Sequence, residues 1–230
     1  MEIKRVLVTG ANGYIGTHVV RELLAKGYDV VACDLRFDNV PEAAQRLTAN
    51  IFDPETDIYT LAGQPDCVIH LAWRNGFRHN ADTHMSDLPG HIHFLSRLID
   101  AGIKSVSVMG SMHEVGYWEG AITAQSPTNP LSFYGIAKNA LRQSVELMVK
   151  GKDIAFHWLR GYYIYGDDDR AIPFWARSWR QNGQERPLSP SPPARTFMTM
   201  YPCRNWPVRS WQPLCRIGIM ASSTAVPVNL

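Results

Sequence analysis

A phenol and an ammonium stand four residues apart in Tyr134-Gly135-Ile136-Ala137-Lys138. On a helix that spacing puts both on one face, one turn apart. A cation beside a phenol stabilises the phenolate and lowers the tyrosine pKa toward working pH. Tyr134 is therefore a candidate general acid/base for a hydroxyl-to-carbonyl conversion. A Tyr and a Lys at this spacing also arise by chance, so their position must support the motif. Ser111 closes the run Val108-Met109-Gly110-Ser111. A hydroxyl at a strand C-terminus faces the ligand edge of a parallel sheet, where Ser111 could bond the reacting oxygen or be only a turn residue.

A second set of residues suits a nucleotide. Gly10-Ala11-Asn12-Gly13-Tyr14-Ile15-Gly16 follows an apolar run and precedes a helical pattern. Glycines permit a tight turn and let backbone approach a pyrophosphate, while the helix N-terminus offers free N–H groups and a positive dipole end. Asp34 ends the next apolar run, 18 residues after Gly16. A carboxylate there accepts hydrogen bonds from ribose hydroxyls and repels a 2′-phosphate, which favours NAD. Arg36 lies close enough to keep NADP open. A glycine turn with a chance acid is the bland alternative, and the order strand, glycines, helix, strand, acid argues against it.

The elements that must position these residues can be read along the chain. Ile3–Thr9 is a candidate buried strand and Ile15–Lys26 a helix stopped by Gly27. Asp29–Cys33 is a second strand, Asn50–Phe52 a short third, Asp66–Leu71 a fourth, Ser105–Met109 a fifth and Ile154–Leu159 a sixth. Met85–Ala101 and Leu131–Lys150 have helical character and end at Gly102 and Gly151. Strands alternating with helices imply a doubly wound parallel sheet of the Rossmann type, α/β in class.

The spacing Gly-x-x-Gly-x-x-Gly resembles the short-chain dehydrogenase/reductase superfamily, and Thr9–Gly16 resembles the opening of its extended, NAD-dependent epimerase/dehydratase branch. The resemblance covers residues 1 to about 185. It implies catalytic roles for Ser111, Tyr134 and Lys138, and that Lys138 also holds the nicotinamide ribose. It also implies that Asp53 caps the adenine and that Leu71 and Ala72 pack on the adenosine or linking ribose. Read alone, Asp53 is equally a helix N-cap before Pro54-Glu55. The implied function is an NAD(P)-dependent epimerase or keto-reductase acting on a sugar nucleotide by hydride transfer. The other two readings are a non-catalytic dinucleotide-binding regulator and an inactive fragment of such an enzyme. Two departures bear on the reaction. Family dehydratases carry Asp-Glu where this chain has Met112-His113, and methionine transfers no protons, which disfavours 4,6-dehydration. His113 is an extra acid/base, a substrate contact or only a loop cap. Family epimerases often carry Asn three residues after the Arg of the sixth strand; here Arg160 is followed three residues later by Tyr163, which puts the substrate mode in doubt. Met112–Pro130, rich in aromatics and glycine, reads as a substrate-facing loop.

Composition sets the outer bounds. The 230 residues are 45% hydrophobic and 19% charged, as in a globular chain. No run approaches the roughly 18 apolar residues of a membrane span. The N-terminus has no signal-like region, so a cytoplasmic protein is expected. Cys33 and Cys67 read as reduced core residues, and no metal site is expected. The net charge of +2 hides a break: residues 186–230 hold five Arg, no acid and eight of the 15 prolines. A basic patch can mean nucleic acid or membrane. Here the change is abrupt, and from about Pro187 no helical or strand period is evident. Phe197, Tyr201, Trp206 and Trp211 fit a disordered linker poorly. Arg216–Val228 can be encoded so that the neighbouring frame reads Q-D-R-Y-N-G-I-I-N-C-C-S-G, which resembles a late strand of the family's substrate domain. The organisation expected is a Rossmann domain over 1–165, the start of a substrate lobe over 166–186, and an aberrant tail over 187–230 whose frame slips near Arg186. The partners expected are a sugar nucleotide and a second copy in a homodimer, with neither nucleic acid nor membrane.

Overall fold

The computed structural model describes residues 3–123, 126–162 and a strand at 198–202. Six parallel strands form the sheet: β1 (Arg5–Thr9), β2 (Asp29–Asp34), β3 (Gln45–Thr48), β4 (Cys67–His70), β5 (Ser105–Ser111) and β6 (Ala155–Gly161). A seventh, β7 (Met198–Pro202), pairs antiparallel with β6. The order is β3-β2-β1-β4-β5-β6-β7. Its direction reverses between β1 and β4, and such a switch point opens a crevice at the strand C-termini.

Strand pleating separates two cores. Val6, Val8, Val30, Ala32, Cys67 and Ile69 face α1 (Tyr14–Ala25), which contributes Val19, Val20 and Leu23. Leu7, Val31, Val68, Val106 and Val108 face the other layer. That layer holds α3 (Thr83–Asp100) and α4 (Phe133–Val149), which bury Phe94, Leu95, Leu98, Leu141 and Val145. A four-residue helix, α2 (Ile58–Leu61), precedes β4. Period-two apolar runs covered on both faces are what a parallel sheet requires. Burying each Leu or Phe contributes roughly 1.5–3 kcal/mol. Cys33 and Cys67 are free and buried, with burial pushing each thiol up to about 12, so they are inert packing groups.

Two expectations are corrected. The third strand is Gln45–Thr48, and Asn50–Phe52 is the loop after it. β3 is an edge strand with mostly exposed side chains, so no apolar run marks it. Ile51 and Phe52 are apolar because they cover the α3 core and the crevice, not because they lie in the sheet. The second correction is β7, found in a segment where no strand period is evident. An edge partner of β6 needs extended backbone more than a particular pattern. Residues 163–197 and 203–230 lie outside the described residues, and so do Tyr163 and the expected boundaries at 166 and 187. Among the described residues, no helix is long and apolar enough to cross a membrane.

Candidate active site

The crevice at the switch point is a cleft of about 440 Å³, lined in part by Gly10, Asn12, Gly13, Asp34, Leu71 and Ala72. Gly10 is obligatory. Its φ is +68°, and a Cβ there would lie 2.7 Å from the Ala72 nitrogen. Gly16 is equally constrained, because a Cβ would fall on the Gly10 carbonyl oxygen. The turn lets α1 start against the end of β1. Gly13, at the N-cap, supplies no side-chain cap, and no acidic residue stands in the first turn. The positive helix end is therefore left for an external anion.

Asp34 closes the adjoining edge. Its Oδ2 accepts the Asn12 N–H at 2.9 Å and its Oδ1 the Leu35 N–H at 2.7 Å. Each oxygen keeps a lone pair for a ribose hydroxyl. The Asn12 side chain accepts from the Asn39 N–H at 2.8 Å, which pins the loop beyond β2. Arg36 pairs with Asp38 at 2.8 Å on the surface. Asp53 is not among the residues that line the cleft. Its carboxylate accepts from Thr56 Oγ1 at 2.5 Å and the Glu55 N–H at 3.0 Å, bonds that hold its pKa below the usual range, and Ile51 and Phe52 line the cleft instead. Tyr14, Ile15 and Gly16 build the turn and first helical residues behind the lining. These features fit a dinucleotide: a bare helix end for phosphate, a carboxylate for ribose and apolar walls at Leu71 and Ala72.

Ser111, Tyr134 and Lys138 meet at the C-terminal end of β5. Ser111 caps a 3₁₀ turn, Met112–Glu114, by accepting the His113 N–H at 3.3 Å, while Glu114 returns to the Ser111 N–H at 2.6 Å. Ser132 caps α4 by accepting the Gly135 N–H, which sets Tyr134 in the first turn. The Tyr134 N–H donates to the His79 carbonyl at 2.9 Å. The Tyr134 hydroxyl lies near enough to Ser111 for the serine to lower its pKa. One turn on, Lys138 is 2% exposed and donates to the Met109 carbonyl at 2.7 Å.

The electrostatics differ from the expectation that Lys138 lowers Tyr134. Burial raises the Tyr134 pKa above its ordinary value, Ser111 pulls it down, and the Glu114 carboxylate pushes it up. Lys138 is itself pulled by burial to about 7, with Glu114 acting the other way. The phenol is therefore held as a proton donor. Glu114, which the sequence reading did not weigh, is fully buried between Trp158 Nε1 (2.9 Å) and Arg160 Nε (3.1 Å). It builds the turn that presents Ser111. His113 lies beside the site, its ring 4.0 Å from that of His79 and 5.7 Å from that of Tyr134, and burial lowers its pKa. Trp73, Arg74 and His91 also line the cleft and were not legible as site residues. Arg74 is held by both oxygens of Asp87 on α3.

A parallel sheet with a glycine turn at its switch point defines a dinucleotide-binding Rossmann domain. The chain belongs to the NAD dependent epimerase/dehydratase family, whose model matches residues 6–199. It is 42% identical over 172 residues to dTDP-6-deoxy-L-talose 4-dehydrogenase (NAD(+)) of Aggregatibacter actinomycetemcomitans, an alignment covering 71% of this chain and 62% of the relative. Among solved structures, UDP-glucuronic acid 4-epimerase from Bacillus cereus, in complex with UDP-glucuronic acid and NAD, superposes with a TM-score of 0.66 at 25% identity. That alignment covers 78% of this chain and 64% of the epimerase. MoeE5 in complex with UDP-glucose and NAD gives a TM-score of 0.63 at 26% identity, covering 76% of this chain and 60% of that one. The chain spans about three fifths of the length of the curated relatives it matches.

Proposed function

We propose that this chain binds NAD in the switch-point cleft and that Tyr134 exchanges a proton with a sugar-nucleotide hydroxyl or carbonyl. The observation that carries the reading is the placement of Tyr134 and Lys138 one turn apart on α4 beside the β5 end that holds Ser111, with Lys138 Nζ bonded to the Met109 carbonyl at 2.7 Å and 5.9 Å from the Tyr134 ring centre. Bound there, NAD supplies the hydride acceptor or donor. The chain's own groups do the rest. The α1 N-terminus takes the diphosphate and Asp34 the adenosine ribose. Lys138 holds the nicotinamide ribose, Ser111 orients the reacting oxygen, and Tyr134 gives it a proton from its hydroxyl. In reduction Tyr134 gives its proton to the carbonyl oxygen, and in the reverse, NADH-forming direction its phenolate takes the proton from the sugar hydroxyl. The similarity to a 4-dehydrogenase favours net oxidoreduction at a sugar-nucleotide hydroxyl over epimerisation. An intact Ser–Tyr–Lys set argues against a purely regulatory dinucleotide sensor.

Cofactor choice tests the cleft. Asp34 repels a 2′-phosphate, and Arg36, two residues beyond it, is already paired with Asp38. Calorimetric titration should give NAD an affinity about tenfold or more above that of NADP, the scale of one lost charge contact of about 1.4 kcal/mol. Equal or tighter binding of NADP overturns the assignment of Asp34, and binding of neither overturns the cleft itself.

A further inference from the structure

The region behind Lys138 holds three histidines that the proposed reaction does not use. His70, His84 and His91 are 1%, 1% and 2% exposed. Burying an imidazole is costly unless its nitrogens are bonded, and both nitrogens of His70 and His84 and the Nδ1 of His91 are. His70 Nδ1 lies 2.7 Å from Thr9 Oγ1, and its Nε2 lies 2.9 Å from His91 Nδ1. The Trp73 indole N–H donates to His84 Nδ1 at 3.0 Å. Indole nitrogen only donates, so His84 Nδ1 accepts and its Nε2 donates to the Arg78 carbonyl, also at 3.0 Å. The His91 ring stacks on the indole at 4.3 Å, within 8° of parallel. Both chains of contacts converge on one side chain, Trp73. Its ring in turn carries Lys138 Nζ 3.8 Å from its centre.

We propose that Trp73 is a positioning residue: its indole, locked by His84 and by the Thr9–His70–His91 chain, holds the Lys138 ammonium against the Met109 carbonyl at the cleft. A buried ammonium loses its water, and the negative face of an indole replaces part of it. The titratable groups around Lys138 are Tyr134 on its own helix, Glu114 in the 3₁₀ turn, His70 on β4 and His91 on α3. Burial and the neighbouring Lys138 hold both histidines below their ordinary value, so neither competes as a cation. Glu114 and the indole therefore work together to keep Lys138 charged. What Lys138 then does to the cofactor rests on the function proposed above. The placement of its ammonium does not.

The test reads the ammonium directly. In a chain with ¹³C-labelled lysine, the Lys138 signal is assigned by its loss in Lys138→Arg and titrated without any nucleotide. The Lys138 midpoint in Trp73→Leu should fall by about one pH unit, the scale of a desolvated cation–π contact. Trp73→Phe keeps a ring face and should restore most of that shift. Because Trp73→Leu could unfold the chain, the wild-type sequence is also prepared with mono- to tetrafluorinated tryptophan. Fluorine weakens the ring's negative face and preserves its shape, so the midpoint should fall stepwise with fluorine number. A leucine variant titrating with wild type, a phenylalanine variant shifted as far as leucine, or a midpoint indifferent to fluorine overturns the proposal. Failure of NAD to bind in calorimetry would overturn the proposed function and leave this titration standing.

Discussion

A hydroxyl, a phenol and an ammonium separated by up to 27 positions in sequence meet at one strand end. Tyr134→Phe isolates the phenol's part. The ring's edge contact with Trp73 and its tilt against His84 survive, and only the hydroxyl is lost. Ser111 still accepts the His113 N–H, so the turn stays capped. Turnover should fall by about 10²-fold or more, the usual scale for losing a general acid/base, while calorimetry shows NAD affinity little changed. An unaltered turnover would remove Tyr134 from the proposed chemistry. At this scale the sequence was informative where a motif is local and silent where the effect is tertiary. Spacing alone put Tyr134 and Lys138 on one face. It could not reveal that burial raises the phenol's pKa. Nor could it reveal the Glu114 clamp or the histidines around Trp73, whose partners come from β1, β4 and α3.

Elements were legible in proportion to their burial. β1, β2, β4, β5 and β6 are buried on both faces and their apolar residues mark them as runs, whereas β3 is polar at the edge and the apolar pair beside it, Ile51-Phe52, lies in the loop. α3 tolerates Pro89 in its interior because the apolar period of Phe94, Leu95, Leu98 and Ile99 holds its C-terminal half on the core. The glycine turn makes the sharpest claim at this scale. Gly16→Ala would drive a methyl into the Gly10 carbonyl oxygen and close to Ala11 Cα, all backbone with no flexible end to yield. Strain of this kind costs about 1–3 kcal/mol, so thermal unfolding should shift down and NAD affinity should fall with it. Gly76→Ala, where nothing lies within 4 Å, is the matched control. A Gly16→Ala chain that melts and binds as wild type does would show that the turn can move, and that α1 does not depend on this close approach.

For the molecule as a whole, the question is what completes the cleft. The described sheet places the nucleotide groups and the Ser–Tyr–Lys set before residue 162, yet the chain spans only 62% of the talose dehydrogenase. Residues 186–230 combine five Arg and eight Pro with no acid, unlike the balanced charge before them. β7 does not decide the matter, because an antiparallel edge strand is held by backbone bonds that many sequences can make. The family match continues past Arg186 to residue 199. We propose that the reading frame slips near Arg186, and that the polypeptide consequently binds dinucleotide but turns over no sugar nucleotide. Sequencing the codons for Gln184–Leu188 from independent isolates should reveal a one-base difference that restores the alternative frame through Arg216–Val228. A chain expressed from the restored frame should then form NADH with a dTDP-6-deoxysugar where the present chain does not. An uninterrupted frame in every isolate would sink the idea, as would turnover by the present chain equal to that of the restored one. Either result would make residues 186–230 the genuine partner of the cleft.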